Sequence, residues 1–262
     1  MKKTYLVLAV LFAAFFALLF FSFKKTVHNP EQTLVETIIP TFSPKVISTP
    51  SPTTFPTLIP KEKTSANLSE TIILDIPFTV QAPNHDWKNP ILQNACEEAS
   101  VLMVMKWAQD KPLIKTEVLK EINALSDFSE QEYGFHLDQS ADDVARLIKD
   151  YYKHQNVRVE KNISADDIRK ELYKGNAVLA PVNGQKLKNP FFTQPGPERH
   201  MLVFKGYDPD KKEFITNDEG IGRGNGYRYP EAVIENSLRS YPSGYHLPIT
   251  ETRKVMIVIG KN

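Results

Sequence analysis

The first apolar stretch of the chain is long and uninterrupted. From Thr4 to Phe23 no residue is charged, and most are Leu, Ala, Val or Phe. A helix needs about 20 such residues to cross a bilayer. No small-residue cleavage site is evident, so residues 1–26 are predicted to be an uncleaved transmembrane signal anchor, with a cleaved signal peptide as the alternative. Either one predicts that the remaining chain is exported, and the anchor would make it a single-pass protein of the cell membrane.

A proline-rich segment follows at residues 27–66, where prolines alternate with many Thr and Ser residues. Proline removes backbone donors and favours an extended conformation, so this segment cannot build a packed core. It is interpreted as a stalk that holds a domain away from the membrane. A disordered linker is the physically similar alternative.

Residues 67–262 carry periodic apolar patterns and are long enough for one domain. The stretch CEEASVLMVMKWAQD, from Cys96, has no Gly or Pro and is apolar on most faces after Ser100. It predicts a buried central helix that ends near Asp110. Shorter amphipathic helices are predicted at Thr116–Leu125, Gln139–Lys153 and Ser164–Lys174.

Extended segments are predicted mainly after these helices. An entry segment at Thr71–Val80 is rich in Ile and Thr, which favour extended structure. Later apolar runs predict strands at Ala177–Val182, His200–Tyr207, Glu213–Asn217 and Lys254–Ile259. Helices followed by antiparallel strands are typical of an α+β domain.

Composition narrows the possible functions. Hydrophobic residues make up 41% of the chain, charged residues 24%, and the formal net charge is +1. These values suit a globular protein and argue against binding to nucleic acid, which usually requires a basic excess. The single cysteine, Cys96, cannot form an internal disulfide. A lone thiol in an exported chain is catalytic, buried and inert, or paired with another chain.

Cys96 is predicted to lie at the start of the central helix. Unpaired N–H groups and the helix dipole stabilise a thiolate there. Glu97 and Glu98 oppose this effect because they add negative charge beside the thiol. A protonated histidine would then be needed to form an ion pair with Cys96. The alternative is a small core residue, since free cysteines are often buried.

Among six histidines, His200 stands at the mouth of a strongly apolar strand. If Tyr207 pairs with Glu213 across the turn, Asp218 becomes a diagonal neighbour of His200 and lies within side-chain reach. A carboxylate there could orient the imidazole, as in other nucleophile–base–orienter triads. A shift of the register by one residue would replace Asp218 with Asn217.

An acyl-transfer site also needs donors for its oxyanion. The backbone N–H of Cys96 is one candidate, and the side-chain amides of Gln81 and Gln93 are others. No His, Cys and carboxylate cluster has zinc spacing, and no metal or cofactor is predicted. The glycine-rich run at residues 220–226 follows a hairpin strand and leads into no clear helix, so it is not interpreted as a phosphate loop.

The order of several motifs resembles one family. The run IPFTVQAP, then Trp87, then ACEEAS at a helix start resembles the papain-like peptidases of cysteine-peptidase family thirty-nine. IRKELYKGNAVLAPV is similar to the helix and strand that precede the family's histidine, and HMLVFKGYD with FITNDEG is similar to its histidine strand and Asn-Asp-Pro-Gly turn. The resemblance covers residues 72–220 and points to the stand-alone branch, not to the domain fused to a transporter.

The resemblance implies a papain-like fold in which a central helix bearing the cysteine packs on an antiparallel sheet. It implies that Cys96 is the nucleophile, His200 the base, Asp218 the orienter and Gln81 the oxyanion-hole glutamine. This sequence has Cys-Glu-Glu-Ala where the family commonly has Cys-Gly-Pro-Ala. It also has Asn-Asp-Glu-Gly where the family has Asn-Asp-Pro-Gly.

The sequence therefore predicts an extracytoplasmic, membrane-tethered cysteine peptidase that cleaves a peptide or amide substrate through a thioester. Its partners would be a peptide or protein substrate and the membrane, and not nucleic acid. Three alternatives remain: a peptidase-like binding module with weak or lost turnover, a peptidoglycan-cleaving cysteine endopeptidase, and a structural surface protein with an inert Cys96. The loop at residues 183–199 is expected to shape specificity.

Overall fold

The computed structural model describes residues 69–261. The predicted anchor and stalk, residues 1–26 and 27–66, lie outside this range. None of the helices within residues 69–261 has the length and apolar character needed to span a membrane. The helices are α1 (Pro90–Gln93), α2 (Cys96–Ala108), α3 (Val118–Tyr133), α4 (Ala141–Tyr152), α5 (Ala165–Tyr173), α6 (Gly184–Leu187) and α7 (Glu231–Ser237). The strands are β1 (Ile72–Ile73), β2 (Val157–Lys161), β3 (Ala177–Val182), β4 (His200–Asp208), β5 (Glu213–Asn217), β6 (Asn225–Pro230) and β7 (Val255–Ile259).

One antiparallel sheet organises the domain. Its strands run in the order β2-β7-β3-β4-β5-β6, and the short β1 pairs with β4. The central strands β3, β4 and β7 are buried at every position. Helices α2, α3 and α4 cover one face of the sheet, and α5 and α7 cover the other. Because both faces are covered, these strands are mostly apolar and do not alternate between apolar and polar residues. The predicted α+β class is confirmed.

Helix α2 forms the centre of the helical layer. All of its residues except Lys106 are buried. It packs against one face of β4, including Met201 and Val203. Burial on every side explains why its sequence is apolar on most faces. The helix begins at Cys96 as predicted and ends at Ala108, close to the predicted end.

Two of the amphipathic helices begin at predicted positions. The Ser140 side chain accepts a hydrogen bond from the Asp143 backbone N–H at the start of α4. Ser164 forms a capping box with Asp167 at the start of α5. Helix α3 is longer than the predicted Thr116–Leu125 and ends only at Gly134, whose φ of 78° favours glycine.

Edge strands and short helices were not predicted from the sequence. Strands β2 and β6 lie at the two edges of the sheet and carry exposed polar residues, so neither forms an apolar run. The single-turn helix α6 lies inside the predicted loop at residues 183–199. Conversely, the entry segment Thr71–Val80 pairs as a strand only at Ile72–Ile73.

The register of the β4–β5 hairpin differs from the prediction near its turn. Tyr207 lies opposite Phe214, and Glu213 lies opposite Asp208. The predicted pairing of Tyr207 with Glu213 is therefore wrong by one residue. The hydrophobic pattern did not fix the turn because both strands are buried on both faces.

A β-bulge corrects this difference before the strands reach the site. The register shifts between Phe204 and Gly206, and beyond the shift Val203 lies opposite Asn217. That is the register predicted for this end of the hairpin. The bulge places one extra residue in β4, which cancels the one-residue shift of the register near the turn. Asp218 therefore still lies diagonal to His200.

Candidate active site

The start of α2 meets the start of β4. Cys96 opens the helix and His200 opens the strand. The Cys96 sulfur, one ring nitrogen of His200 and a carboxylate oxygen of Glu219 all lie within 4.8 Å of one another. These residues are 8%, 2% and 0% exposed, respectively. The fold thus brings the predicted pair Cys96 and His200 together and adds Glu219, which was not predicted as a site residue.

Asp218 fixes the orientation of His200. Its Oδ1 accepts a hydrogen bond from His200 Nε2 at 2.9 Å and another from the Gly220 N–H at 3.1 Å. Its Oδ2 accepts from the Tyr229 hydroxyl at 2.6 Å and from Asn189 Nδ2 at 3.3 Å. Because Asp218 is fully buried and accepts four hydrogen bonds, both of its oxygens are satisfied and its position is fixed.

Asn217, the alternative orienter, faces away from His200. Its side-chain amide donates to the backbone carbonyls of Ile76 and Pro77 at 3.2 and 3.0 Å. Successive residues of a strand point to opposite faces, so Asn217 and Asp218 cannot both reach the histidine. In this structure the contact belongs to Asp218.

The Cys96 thiol lies in an acidic environment. It donates a hydrogen bond to Glu97 Oε2 at 3.0 Å, and the Tyr241 hydroxyl donates to Glu97 Oε1 at 2.8 Å. Burial raises the pKa of the thiol well above its usual value, and the charges of Glu97 and Glu219 raise it further. The Met201 backbone acts in the opposite direction. The thiol is therefore favoured over the thiolate, in the direction expected from the acidic residues after Cys96, although Glu97 and not Glu98 is among the groups that shift its pKa.

A second acidic side chain of α2 lies deeper in the domain. Glu98 Oε1 accepts a hydrogen bond from Gln139 Nε2 at 2.9 Å, while Oε2 has no hydrogen-bond partner among residues 69–261. Burial and the nearby charge of Glu97 raise the pKa of Glu98 well above its usual value. Helix α2 thus buries two carboxyl groups directly after Cys96.

The imidazole of His200 favours its charged form. Burial by itself lowers the pKa of His200, but the charges of Asp218 and Glu219 outweigh this effect and raise the pKa to about 9. Burial also raises the pKa of Glu219 well above its usual value, although the charge of His200 opposes this. At neutral pH the site therefore consists of a neutral thiol beside a protonated imidazole.

Gln81 lines the cleft, but its amide is engaged elsewhere. Its Nε2 donates to the backbone carbonyls of Leu92 and Gln93 at 3.0 and 3.1 Å. Both amide hydrogens are then used, and neither is free for an oxyanion. The other candidate, Gln93, donates from Nε2 to the carbonyl of Trp87 and is exposed. The Cys96 N–H is one of the N-terminal helix donors that have no partner within the helix.

A cleft of about 670 Å³ opens over Cys96 and His200. Much of one wall comes from the loop that was expected to shape specificity, including Phe191, Phe192 and Arg199. Trp87 lies on the wall formed by the segment before α2 and is partly exposed. A cleft of this size is typical of a ligand site.

Comparison with known proteins shows the family of the chain. The family model of the Peptidase_C39 like family matches residues 73–245, about two thirds of the chain. The chain belongs to the Peptidase_C39 like family. No curated protein matches it. Among solved structures, a similar chain is a crystal structure from Bacillus anthracis assigned as a C39-like peptidase, with 18% identity and a TM-score of 0.46. The alignment covers 74% of this chain and 98% of that one.

Membership of the Peptidase_C39 like family indicates a cysteine peptidase. Sequence reasoning identified the residues at the ends of α2, β4 and β5 but missed those that reach the site from distant elements. Asn189 and Tyr229 support Asp218, and Tyr241 holds Glu97. The local sequence gave no signal for them, because each is a buried residue in a segment whose immediate neighbours are mostly exposed or half-buried.

Proposed function

We propose that this Peptidase_C39 like protein hydrolyses peptide or amide bonds by acyl transfer through Cys96, His200 and Asp218. The observation that supports this most strongly is the position of His200. Its Nε2 contacts a fully satisfied Asp218, while the ring lies within 4.8 Å of the only thiol in the chain. This arrangement matches the roles of nucleophile, base and orienter.

The proposed reaction begins with loss of one proton from the resting pair. Asp218 accepts a hydrogen bond from Nε2–H, which leaves Nδ1 of His200 to take the thiol proton. The Cys96 thiolate then attacks the substrate carbonyl, and His200 donates the proton to the leaving amine. Water attacks the resulting thioester after His200 removes its proton, and Cys96 leaves as the thiol.

The backbone N–H of Cys96 is the proposed first donor for the oxyanion, because it lies beside the sulfur at the start of α2. We propose Gln81 as the second donor. Its side chain would have to give up one of its contacts with the carbonyls of Leu92 and Gln93. A substrate carbonyl in the cleft would offer the compensating hydrogen bond.

The proposed substrate is a peptide or protein whose side chains contact the aromatic walls of the cleft. Phe191 is 51% exposed and Trp87 is 39% exposed. Exposed aromatic groups at a cleft favour apolar or aromatic side chains of a ligand. The enzyme is proposed to act outside the cytoplasm, tethered to the membrane by residues 1–26. Nucleic acid is not a proposed partner. The apolar run and the balanced charge of the sequence support this.

The hydrolysis is tested by incubating the full chain with a synthetic peptide library and identifying cleavage products by mass spectrometry. The parent chain should cleave a subset of peptides, and Cys96→Ala should cleave none. A parent chain that leaves the library intact, or a Cys96→Ala chain that cuts as the parent does, would contradict the proposal. Release of the domain from intact cells by an added protease tests the proposed location.

A peptidase-like binding module is the second candidate, and the hydrogen bond from Cys96 to Glu97 favours it. That contact and the raised pKa of the thiol disfavour the thiolate. This alternative predicts that peptides bind to both the parent and Cys96→Ser with equal affinity and that neither cleaves them. Cysteine-dependent cleavage would exclude it.

A further inference from the structure

We propose that Cys96, His200 and Glu219 form a reversible binding site for a divalent transition metal such as Zn²⁺, and that the occupied site cannot hydrolyse peptides. The metal would bind Cys96 Sγ, one His200 ring nitrogen and one Glu219 carboxylate oxygen. This proposal uses two residues of the proposed function but does not depend on turnover.

The positions of the three groups support a common ligand. The three atoms lie within 4.8 Å of one another, and His200 Nδ1 lies 3.7 Å from Glu219 Oε1. Zinc bonds of about 2.0–2.3 Å in a tetrahedron separate the ligand atoms by roughly 3.3–3.8 Å. The His200–Glu219 distance already fits, and the sulfur needs to move by no more than about 1 Å, within the reach of a side-chain adjustment.

Glu219 provides an independent observation. It is fully buried, and neither of its carboxylate oxygens has a hydrogen-bond partner among residues 69–261. A buried carboxyl group without partners is energetically costly. Asp218, the preceding residue, accepts four hydrogen bonds by comparison. Within residues 69–261 the carboxylate forms an ion pair with His200 Nδ1 at 3.7 Å, and a bound cation would add a direct ligand bond.

Charge balance points the same way. Glu97 and Glu219 are buried carboxyl groups beside the Cys96 thiol, and Asp218 lies on the other side of His200. Among the described residues that contact them directly, His200 is the basic group. A divalent cation would compensate the negative charge that Cys96 and Glu219 acquire when they lose their protons.

The donor set selects the kind of metal. Thiolate, imidazole and carboxylate together suit Zn²⁺ or Co²⁺ and not the oxygen-preferring Ca²⁺ or Mg²⁺. Three protein ligands leave a fourth position, and both Cys96 and His200 line the open cleft. Metal ligands must be unprotonated, so binding would release to solvent the thiol proton of Cys96, one proton of the His200 imidazolium and the proton of neutral Glu219. With the nucleophile and the base both coordinated, neither could take part in acyl transfer.

The test is a titration of the full-length, chelator-treated chain with Co²⁺, followed by its near-ultraviolet thiolate-to-cobalt absorption. The parent chain should develop this absorption, and added Zn²⁺ should remove it by displacement. Cys96→Ser should not develop it. Glu219→Gln should weaken binding by at least the roughly 10- to 100-fold that follows loss of an outer-shell partner.

Glu98→Gln is the matched control. Glu98 is also a buried acidic side chain with one unpartnered oxygen, but it lies outside the three-residue group. This variant should bind Co²⁺ as the parent does.

Because Glu219→Gln could fail to fold, a second measurement uses only the parent chain. Zn²⁺ should slow alkylation of Cys96 by iodoacetamide, and a chelator should restore the rate.

The proposal would be overturned by Co²⁺ binding without thiolate absorption, or by equal affinities of the parent and a folded Glu219→Gln. Retained alkylation of Cys96 in saturating Zn²⁺ would also overturn it. Failure of the proposed function gives a different pattern. If the chain binds Co²⁺ through Cys96 but never cleaves peptides, the metal site is supported and the proposed peptidase function fails. If the chain cleaves peptides but does not bind Co²⁺ through Cys96, the peptidase function is supported and the metal site fails.

Discussion

The two sides of the site differ in how their acidic groups are satisfied. On the sheet side, Asp218 accepts four hydrogen bonds and holds His200. On the helix side, Glu97 contacts the Cys96 thiol directly. The first arrangement fixes the proposed base in position, whereas the second suppresses ionisation of the proposed nucleophile. The orientation of the base is thus prepared in advance, while the charge state of the thiol depends on its acidic neighbours.

The largest expected effect tests the sheet side. Asp218→Asn should lower kcat/KM by about 10⁴-fold, the loss that follows when a triad carboxylate can no longer select the correct histidine tautomer. Steady-state peptide cleavage measures this effect. Asp210→Asn, in the exposed turn of the hairpin, is the control and should retain full activity. Near-parental activity of Asp218→Asn would show that the hydrogen bond from His200 to Asp218 is not needed to position the histidine.

The next effect concerns stability between pH 6.5 and 9. The pKa of His200 is raised to about 9 in the folded chain, so its contribution is fully present below the unfolded pKa and is lost as pH rises through about 9. Each pKa unit corresponds to about 1.4 kcal/mol, so the contribution is on the order of 3 kcal/mol. In urea unfolding of the chelator-treated chain, the free energy of unfolding should fall as the pH is raised from 6.5 to 9.

Glu219, whose pKa is also raised, changes stability in the same direction, because its neutral form is favoured by folding. The variant His200→Ala should therefore flatten the pH dependence but not abolish it. A chain that is equally stable at pH 6.5 and pH 9 would contradict the charged state assigned to His200.

A smaller effect tests how closely His200 is positioned. A Cβ atom at Gly220 would lie 3.1 Å from His200 Cε1 and 3.3 Å from Asp218 Oδ1. Gly220→Ala should displace the ring and lower kcat about 10- to 100-fold, since small displacements of catalytic groups cost this much. Gly222→Ala is the matched control, because its Cβ would meet no atom within 4 Å. Equal activities of the two variants would show that the ring tolerates displacement.

The smallest expected effect tests the helix side. Glu97→Gln removes a charge and a hydrogen bond that raise the pKa of Cys96. A fall of one pKa unit gives about tenfold more thiolate at neutral pH, so iodoacetamide should alkylate this variant about tenfold faster. Glu98→Gln should react as the parent does, because Glu98 is not among the groups that shift the thiol. An unchanged alkylation rate of Glu97→Gln would show that Glu97 does not suppress ionisation of the Cys96 thiol.

Local parts of the site could be predicted from sequence. The helix that starts at Cys96 and the strand that starts at His200 follow from apolar runs and their boundaries. Asp218 was identified because a hairpin joins it to His200 over a short stretch of chain. Even so, the pairing at the turn was wrong, and the agreement at Asp218 depends on a β-bulge between Phe204 and Gly206 that no sequence pattern marked.

The sequence by itself determined that an acidic residue lies beside the Cys96 thiol, since Glu97 directly follows the only cysteine. Only the tertiary structure decided that Tyr241 holds Glu97 and that Tyr229 and Asn189 hold Asp218. It also decided that no residue in the described part of the chain forms a hydrogen bond with the Glu219 carboxylate. The reason is physical. Neighbouring charges follow from covalent connectivity, whereas satisfaction of a buried polar group depends on which distant segments pack against it.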